Sequence, residues 1–258
     1  MRVESPLQLR PGTDDEVVWR SVVEGNEYRL PERLAPADVV LDLGAHVGVF
    51  SHLALERGSR RVIAFEAEPE NARRARANLA AWGPAVEVHQ KAVWRSDRPP
   101  EVLHFSPSHE ASATGGGNVF FRDEGPPVES IALDDVLASL GRVRFLKIDV
   151  EAAEFPILLT SRRLRDVDEI AGEFHEVAGA LDPHVIPEWA RVPGHERFTI
   201  EALAAHLRRQ AFSVWWVRMP DSHLGLFFAT RLSWPAWLAD RLRARVRRWV
   251  RALTQRPA

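Results

Sequence analysis

Val39-Val40-Leu41-Asp42-Leu43-Gly44-Ala45-His46-Val47-Gly48 is the stretch that decides the fold. Its unbroken apolar run reads as a buried parallel strand, and the glycines behind it let the backbone turn sharply where a helix begins. The spacing predicts that helix over 51–57. A second apolar run, Arg61-Val62-Ile63-Ala64-Phe65-Glu66, reads as the next strand, and its terminal acid stands twenty-four residues after Asp42. An acid near this distance in a nucleoside-binding α/β fold accepts hydrogen bonds from ribose hydroxyls.

Outward from this pair the pattern keeps alternating. A helix is expected over 69–82, strands over 85–89, 143–148 and 168–174, and a helix over 199–210. Segments 212–217 and 224–231, joined by Pro220-Asp221-Ser222-His223, read as an antiparallel pair that closes the sheet. This is a doubly wound, Rossmann-like α/β sheet, mostly parallel with an antiparallel closing strand. The stretch 101–128 holds Pro107, Gly115-Gly116-Gly117, Gly125, Pro126 and Pro127 around two short β-like pieces, Val102-Leu103-His104-Phe105 and Val119-Phe120-Phe121. It reads as a mobile hairpin insertion, with a solvated loop as the plainer account. Residues 1–38, with Val17-Val18-Trp19 and Tyr28, are expected to cover the ligand site. The main domain is then 39–232.

The composition is 45% hydrophobic and 27% charged over 258 residues, enough to bury one substantial core. The absence of cysteine excludes disulfides, thiolate catalysis and cysteine-based zinc sites. The polar start and the lack of a long apolar run predict a cytoplasmic protein. The net charge of −2 predicts no nucleic-acid partner. Charge is unevenly spread: seven arginines against one aspartate after Ser233 leave the tail at +6 and the rest at −8. In 233–258 Trp234, Leu238, Leu242, Val246, Trp249 and Leu253 recur at helical spacing, which predicts a basic amphipathic helix. Packing on the acidic body or in a homodimer is the expected use, with peripheral contact to an anionic membrane as the alternative.

The turn lacks the G-x-G-x-x-G pattern of dinucleotide sites, because His46 stands where the middle glycine belongs. A pyrophosphate has poor access there. An acid before the turn suits S-adenosylmethionine, which carries an ammonium and a sulfonium but no phosphate.

From Val39 to His175 the sequence resembles the FkbM-type family of S-adenosylmethionine-dependent methyltransferases. Four segments carry the likeness: Leu41-Asp42-Leu43-Gly44-Ala45-His46-Val47-Gly48-Val49-Phe50-Ser51; Ala64-Phe65-Glu66-Ala67-Glu68-Pro69 with Asn71 and Asn78; Val128-Glu129-Ser130-Ile131-Ala132-Leu133-Asp134-Asp135; and Phe145-Leu146-Lys147-Ile148-Asp149-Val150-Glu151-Ala152-Ala153-Glu154. The last is the most specific. Ala152 stands where the family usually has glycine, and His46 where it often has asparagine. The resemblance implies a class I methyltransferase fold with S-adenosylmethionine as cofactor.

Ligands of open α/β sheets sit beyond the carboxyl ends of the strands. That selects Asp42, Glu66, Gln90, Asp149 and the Glu173-Phe174-His175 group. For the cofactor the candidates are Asp42, Glu66, Gln90 and Asp149, and the resemblance adds Gly44, Ala45, His46, Gly48, Ala67 and the Lys91-Ala92-Val93 segment, Ala92 included. Methyl transfer is an in-line displacement that alignment alone speeds, and a base helps when the acceptor is a hydroxyl. Asp149, Glu151, Glu173 and His175 are candidate bases, and Glu151 and Glu154 are as well explained by the dipole of the following helix. Lys147, inside an apolar strand, requires a carboxylate partner and is a further candidate. Asp149, Glu173 and His175 also present ligands for magnesium or manganese, but no tight metal motif occurs and none is assigned. The expected reaction is O-methylation of a small-molecule hydroxyl on a sugar, glycoside or polyketide-like metabolite, with Trp94, Trp189, Trp215 and Trp216 as stacking candidates. N- or carboxyl methylation, an NAD-dependent dehydrogenase and a silent nucleoside-binding protein are the alternatives.

Overall fold

The computed structural model describes residues 5–108, 110–121, 125–182 and 184–233. Its strands in chain order are β1 (Val39–Leu43), β2 (Arg61–Glu66), β3 (Val86–Gln90), β4 (Ala92–Trp94), β5 (Val102–His104), β6 (Pro127–Ala132), β7 (Val143–Ile148), β8 (Val167–His175), β9 (Phe212–Arg218) and β10 (Leu224–Arg231). Seven form one sheet in the order β3-β2-β1-β7-β8-β10-β9. All pair in parallel except β10, which runs antiparallel to both β8 and β9. The chain winds outward from β1 to β3 and then returns to β7 on the other side, so the switch point lies between β1 and β7. A smaller sheet, β4-β6-β5, stands beside it.

All five residues of β1 are buried. Val39, Leu41 and Leu43 join the core on one face, while Val40 joins the core on the other. The helices α2 (Val49–Glu56), α3 (Pro69–Leu79), α4 (Leu133–Leu140), α5 (Glu154–Thr160) and α6 (Ile200–Arg209) follow α1 (Asp15–Trp19), which runs into a π-turn over Arg20–Glu24. Glu68 caps α3, accepting from the amides of Glu70 at 3.0 Å and Asn71 at 2.5 Å, with Pro69 pre-set in the first turn. Trp19, Val22, Tyr28, Leu30 and Leu34 pack in the same core as α2, so the N-terminal residues are fastened to the face of the sheet that α2 covers.

The helix expected over 69–82 stops at Leu79, and a 3₁₀ turn runs to Ala85. Gly83 (φ 54°, ψ −130°) and Pro84 cannot continue a helix. Among the described residues of 101–128, β5 and the first two residues of β6, Pro127 and Val128, are strand. Asn118 Oδ1 takes the amides of Phe120 at 3.1 Å and Phe121 at 2.8 Å, which removes them from any ladder. The insertion is nevertheless anchored: Leu103 and Phe120 are fully buried, and Ser106 bridges to Asn118. Strands β4 and β6 were not anticipated: β4 has only three residues, and β6 carries Glu129 and Ser130 in its middle. The predicted tail helix lies outside the described residues. Among the described residues no helix is long and apolar enough to cross a membrane.

Candidate active site

A cavity of about 330 Å³ opens at the carboxyl ends of β1, β2, β7 and β8. Its floor is the turn after β1. Gly44 sits there with φ +80°, and a Cβ on it would fall 1.8 Å from the Asp149 carbonyl oxygen, so only glycine lets the ends of β1 and β7 approach this closely. Its roof comes from two separate pieces, the N-terminal cover through Val18, Ser21, Glu27 and Tyr28, and the insertion through Phe105 and residues 113–119. Asp14 joins them: its carboxylate accepts from the Thr114 amide at 3.0 Å and the Gly115 amide at 3.2 Å, and also from the Thr114 hydroxyl.

Glu66 is 7% exposed at the end of β2 and faces the cavity. Its Oε2 accepts from the His46 amide at 2.7 Å and its Oε1 from the Glu68 amide at 2.8 Å. Burial raises its pKa, and those amide bonds oppose the shift. The carboxylate is thus aimed by the backbone while each oxygen keeps acceptor capacity for hydroxyls. Ala45, His46, Ala67 and Ala92 also line the cavity.

Three cofactor candidates lie off it. Asp42 is fully buried beneath the turn, where it accepts from Ser51 Oγ at 2.7 Å and pairs with Lys147 Nζ at 3.4 Å. Gly48, with φ 93°, caps the start of α2, and a Cβ there would meet the Leu79 side chain at 3.0 Å. Gln90 is exposed at the end of β3. Asp42 and Gly48 therefore shape the site from behind, and Gln90 is turned to solvent while Lys91 and Ala92 behind it line the cavity.

The carboxylate that Lys147 requires is Asp42. Its ammonium also donates to Gly44 O at 2.5 Å and Leu43 O at 3.3 Å. Burial works against its charge, but Asp42, Asp149 and Glu66 together hold its pKa above the ordinary value. A committed, protonated lysine cannot take a proton; it braces the turn.

His175 likewise departs from the expected role of base. It is absent from the cavity lining and lies 3.2 Å from Glu151 through Nε2 and 3.3 Å from Glu154 through Nδ1. Although burial disfavours its charge, the two flanking acids lift its pKa well above 6.5. It is an imidazolium that neutralises two carboxylates. Asp149, Glu151 and His175 hold ligand atoms within 4.8 Å of one another, as do Asp14, Asp15 and His46. The second group is tied up with Arg10, which binds Asp15, His46 and Asn71.

Asp149 and Glu173 do reach the cavity. Tyr28, which the sequence placed only as cover, donates its hydroxyl to Asp149 Oδ2 at 2.8 Å. Burial and the neighbouring acids raise that phenol well above 10. Glu173 is pushed up to about 8, first by burial and then by the Asp149 charge, with His175 pulling the other way. Glu27, at the same end, is raised by burial and by Asp149. Neither Tyr28 nor Glu27 carries a motif; Tyr28 stands in the sequence only as part of the expected cover, and Glu27 is an isolated acid until the fold brings it in.

The lining is therefore acidic: Glu27, Glu66, Asp149, Glu151 and Glu173 face Lys147, already spent on Asp42, and a rim lysine, Lys91, paired with Glu129 at 2.9 Å. Such a site suits a cation with ribose hydroxyls and rejects a pyrophosphate. The match to the methyltransferase FkbM domain spans residues 42–214. The chain belongs to that family. It is therefore a methyltransferase. It is 32% identical over 206 residues to 31-O-demethyl-FK506 methyltransferase FkbM of Streptomyces tacrolimicus, covering 66% of this chain and 75% of that protein. It is 30% identical over 204 residues to the AMB antimetabolite synthetase AmbE of Pseudomonas aeruginosa, matching 63% of this chain but only 10% of that protein's length. Among solved structures, methyltransferase FkbM of Methylobacillus flagellatus aligns with 12% identity and a TM-score of 0.48, over 76% of this chain and 44% of that one.

Proposed function

We infer that this FkbM-family enzyme binds S-adenosylmethionine in the cavity and methylates a hydroxyl oxygen of a small molecule. One observation carries the reading: Glu173, with a pKa near 8, faces the cavity beside Asp149, across from the ribose-type acid Glu66. The bound cofactor supplies a methyl group activated on a sulfonium. Glu66 accepts from the ribose hydroxyls, and the bare turn at Gly44 lets the chain lie close. The acids favour the cationic end of the cofactor. Glu173 has the basicity to take the proton of an acceptor hydroxyl near neutral pH, while Tyr28 fixes Asp149 in place. The lid made by the N-terminal cover and the insertion keeps water from the methyl group. A relative whose name denotes methylation at an oxygen of FK506 supports oxygen as the acceptor atom.

Mass-spectrometric screening of hydroxylated metabolites for the gain of one methyl group tests the reading. Glu173→Gln should lower kcat by about 10²-fold or more while leaving S-adenosylhomocysteine affinity little changed. The wild-type rate should rise with pH up to about 8 as Glu173 loses its proton. Full activity in E173Q removes Glu173 as the base.

A further inference from the structure

The face of the sheet that carries Glu173 continues past the cavity. Directly opposite residues of neighbouring strands share a face, so the register gives two rows: Ala171–Phe228–Trp215 and Glu173–Leu226–Val217. On the reverse face Phe174 and Phe227 are fully buried in the core with α5 and α6. On this face the far end is open: Trp215 is 38% exposed, Val217 57%, and Met219, next in the alternation, 44%. Trp215 is fixed as an end wall, stacked on Phe228 at 4.2 Å with the Arg29 guanidinium 4.1 Å over its ring. An apolar shelf thus begins one strand away from the carboxyl group at the acceptor end of the cavity.

We propose that the hydrophobic body of the acceptor lies on this shelf, Leu226 and Val217 beneath it and Trp215 at its end, while its hydroxyl meets Glu173. The preferred acceptor is then a hydroxylated molecule with a sizeable apolar portion, and a small, wholly polar sugar is disfavoured. Size supports a small-molecule occupant. Two strand spacings by four residues make roughly 10 Å by 13 Å, far less than the ~800 Å² that each partner buries in a stable protein interface. The proposal rests on the acceptor being held at Glu173, and it is tested by binding, not turnover, so its failure is separate from failure of the methylation screen.

Calorimetry with saturating S-adenosylhomocysteine compares methyl and octyl β-D-glucoside, the latter below its micelle concentration. The wild type should bind the octyl compound at least tenfold more tightly. Val217→Asp should shrink that advantage to less than twofold while S-adenosylhomocysteine affinity stays within twofold of wild type; Met219→Asp replaces it if that affinity shows V217D to be misfolded. Equal or undetectable binding of the two glucosides by the wild type overturns the proposal. So does an octyl advantage that survives V217D, or sedimentation showing that V217D turns a dimer into a monomer, which makes the face a contact between copies.

Discussion

Glu66 is buried and Glu173 half-buried, and both have raised pKa values, yet the chemistry around them differs. Glu66 is held by two backbone amides, which favour its charged form, and its loss should be felt in binding. Glu66→Ala is expected to weaken S-adenosylhomocysteine by about 1.5–3 kcal/mol, as for hydrogen bonds to a charged acceptor, measured by calorimetry. Among the described residues Glu173 accepts from no backbone amide, and its carboxyl is pushed up to about 8. Between its unfolded value near 4.5 and about 8 the folded state binds the extra proton, so this group lowers stability as pH rises through that window. Glu173→Gln should therefore raise Tm at pH 8.5 by roughly 2–6 °C and change it little at pH 4.5. An equal shift at both pH values would show that the charge of Glu173 is not the cause.

The turn between β7 and α5 holds Glu151 at φ 53° and Ala152 at φ 77°, two successive non-glycine residues in left-handed backbone. Alanine is strained there by about 1–2 kcal/mol. Ala152→Gly, restoring the residue common in the family, should stabilise the chain by roughly 0.5–1 kcal/mol after the entropy of glycine in the unfolded state is charged against it, read from urea unfolding. A loss of stability would place the importance of Ala152 in its buried methyl. His46, at φ 52°, fits the same logic, since asparagine tolerates that conformation well. At this scale the sequence was legible wherever an apolar run ended in an acid: β1, β2, β7 and β8 and the glycine turn were all apparent. Asp42 misled because a strand-end acid looks the same whether it faces a ligand or a buried lysine. His175 misled for a related reason, since only the fold shows that Glu151 and Glu154 bracket its ring. Glu27 was invisible as a site residue and Tyr28 was expected only as cover, because long-range packing alone sets them beside Asp149.

Across the whole molecule, the cavity is closed by segments a hundred residues apart in sequence, fastened through Asp14 to Thr114 and Gly115. Release of a cofactor from the proposed site is expected to involve that fastening. Asp14→Ala should speed S-adenosylhomocysteine release about tenfold in stopped-flow displacement, as expected for removing charge-assisted bonds, and raise amide exchange at residues 112–117; an unchanged release rate would show that the roof does not gate the site. The placement of β10 carries a different consequence. Because β10 inserts between β8 and β9, the strand bearing Glu173 keeps an unpaired edge during synthesis until residues 224–231 have left the ribosome. A ribosome-bound intermediate exposes that edge to other nascent chains. The sheet around Glu173 is thus completed only after its β1–β2 half, and slow translation or chaperone shortage should show first as aggregation of chains that already hold that half.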